Sequence, residues 1–123
     1  MQLVLDEDSP FLEITPLAGY GQDNIAAGNS MITGIGLVNG IECMIVCNVP
    51  TVGRGSMNEV NGKKWQRAAV LASENNLPFI QLLESSGADL NNQFNIFHNN
   101  PVSYCLLTFP IFFYVTKLAG FCL

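Results

Sequence analysis

Two β-rich apolar runs lie on either side of an Asn39-Gly40 pair and predict a β-hairpin. The first run covers residues 30–38 and the second covers residues 41–48. Asparagine and glycine both tolerate the positive φ of a type I′ turn, so this pair is the strongest short-range hairpin signal. We therefore expect two antiparallel strands over these ranges.

Apolar residues recur at helical spacing over residues 63–75, where Trp65 and three alanines share one face and no glycine or proline intervenes. This pattern predicts an amphipathic helix. Either Asn58 or Asn61 would cap its start, and Pro78 lies shortly beyond its expected end.

Residues 78–84 are expected to form a buried strand that runs into a turn of small residues at 85–88. The order hairpin, helix, strand and turn is typical of an α/β arrangement whose last strand delivers backbone amides to a site. Prolines and glycines are closely spaced over residues 1–29, so this region is expected to be mostly loop.

The low charge of the chain limits the classes of partner. Of its 123 residues, 49% are hydrophobic and only 12% are charged, and the net charge is -5. An acidic chain lacks the positive field that attracts phosphate backbones, so a nucleic-acid partner is not expected. So few charges on a small protein indicate that apolar surface faces another chain, a membrane or a missing part of the fold.

The cysteines and the single histidine, His98, form no pattern that predicts a metal site. On one strand, Cys43 and Cys47 would lie roughly 13 Å apart, beyond the reach of a disulfide. Both are interpreted as core residues in a reducing intracellular compartment, cytoplasmic or the mitochondrial matrix. The first nine residues carry acids and no base, unlike a secretory signal or a mitochondrial presequence.

Residues 99–123 differ in composition from the rest, with no charge between Asp89 and Lys117. A membrane-spanning helix needs about 20 apolar residues, and Pro110 and Lys117 fall inside any such window. We therefore expect no membrane span, and we expect this tail to add no defined structure.

Three cations, Lys63, Lys64 and Arg67, fall in the first two turns of the predicted helix. Positive charge there opposes the helix macrodipole, so an anionic ligand would explain it. With Arg54 in the preceding loop, these residues would suit the phosphates of a nucleotide-bearing substrate. A solvated polar face accounts for the same charges equally well.

The carboxylates Glu84 and Asp89 flank the small-residue turn. They fit either an acid–base pair or a structural role that fixes the loop by hydrogen bonds, and the structural role is favoured. Backbone amides of such a turn stabilise an oxyanion, although turn geometry alone selects the same residues. The glycines Gly34 and Gly36 lie inside the hairpin and do not open a helix, so a dinucleotide site is not expected.

Several motifs occur in an order that resembles one known family. They are Ser9-Pro-Phe-Leu-Glu13, Ala18-Gly19, the run from Ile32 to Gly40, Thr51-Val52 with Gly55-Ser56, and the run from Glu84 to Leu90 with Gln93 and Ile96-Phe97. Over residues 9–97 the chain resembles the carboxyltransferase (β) subunit of biotin-dependent acyl-CoA carboxylases of the acetyl-, propionyl- or methylcrotonyl-CoA type. The resemblance implies an α/β crotonase-type ββα spiral, here incomplete, and carboxyl transfer from carboxybiotin to the α-carbon of an acyl-CoA.

The resemblance also implies the domain organisation and the site residues. Residues 1–98 would be the front part of the N-terminal domain of such a subunit, and residues 99–123 an unrelated hydrophobic tail. The family turn S-G-G-A holds the enolate oxygen with backbone amides, and it falls on residues 85–88 with Ser86 in place of the first glycine. The implied oxyanion donors are Ser86 and Gly87, followed by Ala88.

The implied acyl-CoA contacts lie in the loop and the helix. The loop resembles the family's T-V-x-G-G-S, with Arg54 in place of the first of its paired glycines. The candidate contacts are Lys63, Lys64, Arg67, Arg54, Gly55 and Ser56. No metal is implied.

The implied co-substrate is carboxybiotin on a partner carrier domain, with no covalently bound cofactor. The implied partners are acyl-CoA, biotin carboxylase and biotin carrier subunits, and further carboxyltransferase subunits in a homo-oligomer. The isolated chain is expected to be inactive, since only one donor turn is recognised.

Three alternatives remain open at this point. The first two are a non-catalytic interaction module of the same fold and a truncated product without activity. The third, an enoyl-CoA hydratase or isomerase, is disfavoured because Glu84 and Asp89 match the carboxylase pattern.

Overall fold

A single mixed sheet with one helix packed on it forms the described part of the molecule. The computed structural model describes residues 4–21 and 28–85 and, as backbone, residues 112–116. Its elements are β1 (Phe11–Ile14), β2 (Met31–Val38), β3 (Ile41–Asn48), a 3-10 turn at Gly53–Gly55, α1 (Glu59–Glu74), β4 (Phe79–Leu83) and β5 (Phe112–Thr116). The strands follow the order β1-β2-β3-β4-β5, antiparallel up to β3 and parallel from β3 to β5.

The predicted hairpin is confirmed as β2 and β3, with Val38 opposite Ile41. Asn39 and Gly40 have φ of 52° and 76°, which are the left-handed values that this turn requires. The carboxylate of Asp6 accepts hydrogen bonds from the N–H groups of Asn39 and Gly40, at 2.6 and 2.7 Å. The N-terminal segment is thereby tied to the hairpin turn.

The helix is confirmed, but it begins at Glu59 and not at residue 63. Asn58 is its N-cap, since its Oδ1 accepts a hydrogen bond from the N–H of Asn61 at 2.9 Å. The missed first turn contains no apolar stripe, so periodicity alone could not find it. Asn75 closes the other end of the helix as its C-cap.

The core lies between the inner face of α1 and the sheet. The Trp65 ring meets the Phe79 ring edge to face, with centroids 5.7 Å apart. The Trp65 indole N–H also donates to Oε1 of buried Gln81 at 3.2 Å, so no polar atom of the indole is left unpaired. Small side chains on α1 let the helix approach the sheet closely. The core cluster comprises Met31, Met44, Val46, Trp65, Ala68, Ala69, Ala72 and Phe79.

The expectation that residues 1–29 are mostly loop missed β1. This strand is only four residues long and pairs antiparallel with β2. A Cβ on Gly34 would overlap the Phe11 ring, and one on Gly36 would overlap the Leu5 side chain. The two glycines of β2 therefore make room for side chains from the segment that crosses them.

The expectation that residues 99–123 add no defined structure is wrong at five residues. Strand β5, Phe112–Thr116, pairs in parallel with β4, with Phe79 opposite Phe112. The physical reason is the open edge of β4, which offers unpaired backbone groups to any strand that reaches it. The rest of the tail lies outside the described residues.

In the described ranges no helix is long and apolar enough to cross a membrane. Those ranges also contain no cluster of three or more metal-ligating side chains. Cys43 and Cys47 are free thiols, and burial raises the pKa of each above its ordinary value.

Candidate functional site

The loop after β3 and the segment after β4 meet at one edge of the sheet. Because β3 and β4 are parallel neighbours, with Cys47 opposite Leu82, their carboxyl ends reach the same edge. Gly55 in the loop lies against Glu84: a Cβ on Gly55 would overlap the Glu84 carbonyl oxygen and lie 3.4 Å from Cα of Ser85. Only glycine fits this contact.

The loop itself has an unusual backbone. Gly53, Arg54 and Gly55 have φ of 54°, 55° and 66°, three left-handed residues in succession. An L-residue such as Arg54 costs about 1–2 kcal/mol in this region. The N–H groups of Gly55 and Ser56 donate back to Val52 and Gly53, each at 3.0 Å, which closes the turn.

Buried polar side chains hold this loop from the interior side. Asn48, the last residue of β3, donates through Nδ2 to the carbonyl oxygen of Gly55 at 3.1 Å. Asn61 in α1 donates through Nδ2 to the Ser56 carbonyl at 2.9 Å and to Oγ of Ser30 at 2.6 Å. The Ser30 hydroxyl in turn donates to the Ser56 carbonyl at 3.2 Å.

Two of the three predicted helix cations share a surface. Lys63 and Arg67, with Gln66 and Val70, line a cavity of about 270 Å³ on the outer side of α1. Lys63 forms an exposed ion pair with Glu59 at 2.6 Å. The argument from the macrodipole is corrected, because α1 begins at Glu59 and its first turn carries an acid.

Lys64 does not share this surface, which corrects its grouping with Lys63 and Arg67. It is only 3% exposed. Its ammonium group donates to the carbonyl oxygens of Gly28 at 3.1 Å and Met31 at 2.5 Å. Burial lowers the pKa of Lys64, and the negative charge of Glu13 partly opposes that shift. Lys64 therefore ties α1 to the start of β2 and is not placed to reach a bound phosphate.

Comparison with known proteins then decides the family. The family model described as the carboxyl transferase domain matches residues 1–103. The chain belongs to the carboxyl transferase domain family. The resemblance seen over residues 9–97 is thereby confirmed.

Two curated relatives and one solved structure place this carboxyl transferase chain further. A probable biotin-dependent acyl-coenzyme A carboxylase β2 subunit of Mycobacterium tuberculosis is 54% identical over 97 residues, covering 79% of this chain and 18% of that protein. A mitochondrial methylcrotonoyl-CoA carboxylase β chain of Dictyostelium discoideum is 46% identical over 100 residues, covering 79% and 17%. The chain thus spans less than a fifth of the length of these relatives.

The solved structure is the β subunit of geranyl-CoA carboxylase from P. aeruginosa. It superposes with a TM-score of 0.75 and 34% identity, covering 87% of this chain and 20% of that one. The expected α/β fold of the crotonase type is confirmed by this match.

The family motifs can now be located on the fold. In this carboxyl transferase chain, the T-V-x-G-G-S-like loop is the left-handed turn at 53–55, which explains the glycine preference at the position of Arg54. Gly55 and Ser56 are the loop residues that the buried amides hold. Ser86, Gly87 and Ala88 lie outside the described residues, so their role as oxyanion donors stays a prediction.

Sequence reasoning missed two side chains that hold the loop of this candidate site. Asn48 carried no motif, and Asn61 was considered only as a helix cap. A buried asparagine is recognised by its partners, which lie far away in the sequence. The one available signal was the Asn-rich context around the loop, and it does not distinguish a buried amide from a capping residue.

Proposed function

We propose that this chain forms the acyl-CoA-binding front part of a carboxyltransferase subunit. The proposed reaction moves a carboxyl group from carboxybiotin to the α-carbon of an acyl-CoA. The observation that carries the proposal is the contact of Gly55 with Glu84, where the carboxyl ends of β3 and β4 meet. The chain that makes this contact is a member of the carboxyl transferase domain family. The space that a Cβ of residue 55 would fill lies beside Glu84, where β4 leads into the turn.

The chemistry requires stabilisation of an enolate. The proposed transfer would break the N–carboxyl bond of carboxybiotin, pass the α-proton of the thioester to the freed ureido nitrogen and bond the α-carbon to the carboxyl carbon. Once the α-carbon has lost its proton, negative charge develops on the thioester oxygen. The backbone amides of Ser86 and Gly87 are the proposed donors to that oxygen, and each such donor is typically worth about 3–4 kcal/mol. Strand β4 is paired on both sides, so it gives the turn a rigid base.

Three exposed cations on α1 and in the loop are proposed contacts for the phosphates of coenzyme A. Lys63 and Arg67 line one cavity on α1, and Arg54 is exposed in the loop that contains Gly55 and Ser56. Guanidinium and ammonium groups bind phosphate through charge-assisted hydrogen bonds. Lys64 is left out of this set because its ammonium group is buried and donates to two backbone carbonyls.

The donor and the partners are part of the same proposal. Carboxybiotin, on the carrier domain of a partner, would supply the carboxyl group. The relatives are named as β subunits or β chains of carboxylases. We therefore propose biotin carboxylase and biotin carrier subunits as partners, together with further carboxyltransferase subunits.

A segment exchange tests the proposal directly. Residues 9–97 of this chain would replace the matching segment of the M. tuberculosis β2 subunit, and transfer from a carboxylated biotin carrier to propionyl-CoA would be assayed. We expect transfer, and a rise in KM with little change in kcat when Lys63→Ala and Arg67→Ala are combined. A chimera that assembles normally but neither binds propionyl-CoA nor transfers a carboxyl group overturns the proposal.

Ser86, which replaces the first glycine of the family turn, is the basis of a separate prediction for the same chimera. Ser86→Gly should raise the transfer rate, because removal of the side chain opens access for the thioester oxygen. If the turn holds Ser86 at a φ and ψ that an L-residue can adopt, Ser86→Gly should change the free energy of unfolding by less than about 1 kcal/mol. Equal rates for the parent and Ser86→Gly would show that the side chain does not obstruct the turn.

A further inference from the structure

The backbone of the loop at 53–55 needs support from outside itself. Three successive residues are left-handed, and the middle one, Arg54, carries a side chain. Such conformations persist only where the surrounding structure over-determines them. The two backbone hydrogen bonds that close the turn lie within the loop and do not tie it to the sheet or the helix.

Two buried amides provide that tie. Asn48 reaches the Gly55 carbonyl from the end of β3, and Asn61 reaches the Ser56 carbonyl from the first turn of α1. Carbonyl oxygens only accept hydrogen bonds, so each amide must present its NH₂ group to the loop. The loop is thereby held at adjacent residues by two different elements.

This arrangement is kept at a cost. Asn48 and Asn61 are 3% and 0% exposed, and Oδ1 of each is buried without a hydrogen-bond partner. A buried polar atom left unpaired is unfavourable, so an apolar side chain would cost less if these positions only filled space. The cost is explained if the NH₂ groups have a positional role.

The held loop touches the strand end that leads into the proposed oxyanion turn. Gly55 packs so closely on the Glu84 carbonyl that no Cβ fits between them, and Ser85 follows directly. A shift of the loop by a few tenths of an ångström must therefore move Glu84 and Ser85 or open a gap. Rigid packing of this kind transmits position from one segment to the next.

We propose that Asn48 and Asn61 are positioning residues that fix Gly55 and Ser56 against Glu84 and Ser85, where β4 leads into the proposed oxyanion turn. This inference rests on the proposed function for its catalytic meaning. Neither asparagine is assigned a contact with the substrate. Substitution of either asparagine should therefore weaken the binding of the thioester, which the turn would hold, more than the binding of the phosphates.

Two ligands separate positioning from simple stability. Propionyl-CoA carries the thioester oxygen that the turn would hold, whereas free coenzyme A carries the phosphates but no thioester. In the full chain, we expect Asn48→Ala or Asn61→Ala to weaken propionyl-CoA binding about tenfold and coenzyme A binding less than twofold. Ser30→Ala, which removes one donor to Ser56 and keeps both amides, should weaken propionyl-CoA binding about threefold.

Asn75→Ala is the matched control. Its Nδ2 also donates to a backbone carbonyl, that of Leu71 at 2.8 Å, but at the exposed far end of α1. It should change neither affinity. Amide hydrogen exchange on the same proteins adds a measurement that needs no ligand: we expect about tenfold faster exchange at 53–56 and 84–85 in Asn48→Ala, with the amides of β2 unchanged.

The outcomes separate the two proposals. If the parent chain binds neither ligand, the proposed function fails at this step, and the exchange data still decide the positioning role. The inference is overturned if exchange becomes faster at 53–56 but not at 84–85. It is also overturned if the binding of propionyl-CoA and of coenzyme A is weakened equally. If the alanine variants do not fold, Ser30→Ala carries the same comparison, and unchanged exchange at 84–85 in that variant counts against the inference.

Discussion

At the scale of single residues, adjacent side chains of α1 have opposite environments. The Lys63 side chain is 74% exposed and pairs with Glu59 in solvent. Lys64 is buried and donates to the carbonyls of Gly28 and Met31. A surface ion pair is worth at most about 1 kcal/mol, whereas buried carbonyls without a donor cost about 1–3 kcal/mol. The two lysines should therefore respond differently to the same substitution.

Lys64→Met should lower the free energy of unfolding by about 1–3 kcal/mol, because it keeps the apolar stem and removes the donor. Lys63→Met, the control, should change it by less than about 1 kcal/mol. Urea unfolding of the two variants measures the difference. Equal effects would show that the buried hydrogen bonds of Lys64 do not stabilise the fold.

The pH dependence of the same variant follows from the lowered pKa of Lys64. Above that pKa the folded state has released a proton that the unfolded state still binds, so the Lys64 contribution to stability rises with pH up to the ordinary value of 10.5. The raised pKa values of Cys43 and Cys47 act in the opposite direction above pH 9. The difference between the parent and Lys64→Met therefore isolates the lysine, and it should grow as the pH rises from the lowered pKa of Lys64 towards 10.5. A difference that is flat over this range contradicts the assignment.

Gly55→Ala should destabilise the fold by about 3 kcal/mol, because the backbone is left-handed and the new Cβ meets the Glu84 carbonyl. Gly53→Ala is the matched control: its φ is also positive, but its nearest neighbour is Oγ of Ser56 at 3.5 Å. Only the conformational cost of about 1–2 kcal/mol applies there. Chemical unfolding compares the two, and equal losses would show that the contact with Glu84 is not tight.

At the scale of elements, the hairpin depends on a carboxylate outside it. Asp6 accepts from both amides of the turn, while its own N–H donates to the Leu37 carbonyl at 2.9 Å. The N-terminal segment thus closes the end of β2 and β3 from outside the two strands. Turn chemistry alone accounts for the hairpin, but its attachment to residues 4–9 is a tertiary feature.

Asp6→Ala should cost about 1–2 kcal/mol of unfolding free energy, because two charge-assisted hydrogen bonds are lost at a partly exposed site. Glu7→Ala removes the same charge from an exposed neighbouring residue and should be close to neutral. Thermal unfolding of the two proteins measures this, together with amide exchange at 39 and 40. Slow exchange at both turn amides in Asp6→Ala would contradict the capping role.

At the scale of the whole molecule, the sheet extends beyond the part that resembles the family. Strand β5 covers the edge of β4, and β4 in turn leads into the proposed oxyanion turn. A strand that is paired on both sides is held more firmly than an edge strand. The sequence after residue 103 therefore bears on the site, although it lies beyond the family match.

Removal of residues 104–123 should speed amide exchange in β4 by at least about tenfold, because half of its backbone groups lose their partners. The amides of β2, which is paired with β1 and β3, should be unaffected. The comparison of the full chain with the shortened chain by hydrogen exchange checks this. Identical protection of β4 in the two would show that β5 does not pair in solution.

The sequence by itself determined the elements whose signals are local. Asn39-Gly40 predicts its own turn, the alanines with Trp65 predict the inner face of α1, and the ordered motifs over residues 9–97 predict the family. Each depends on residues close together in the chain or on their order. Such signals need no knowledge of which segments meet.

Only the tertiary structure decided which polar side chains are buried and what they hold. Lys63 and Lys64 are identical in type and adjacent, and the rotation of α1 against the sheet places one in solvent and the other on two carbonyls. Asn48 and Asn61 become supports for the loop because β3 and α1 converge beneath it. Gly34 and Gly36 make room for the Phe11 and Leu5 side chains only once β1 has paired with β2. These roles arise from contacts between distant segments, and the local pattern of residues does not encode them.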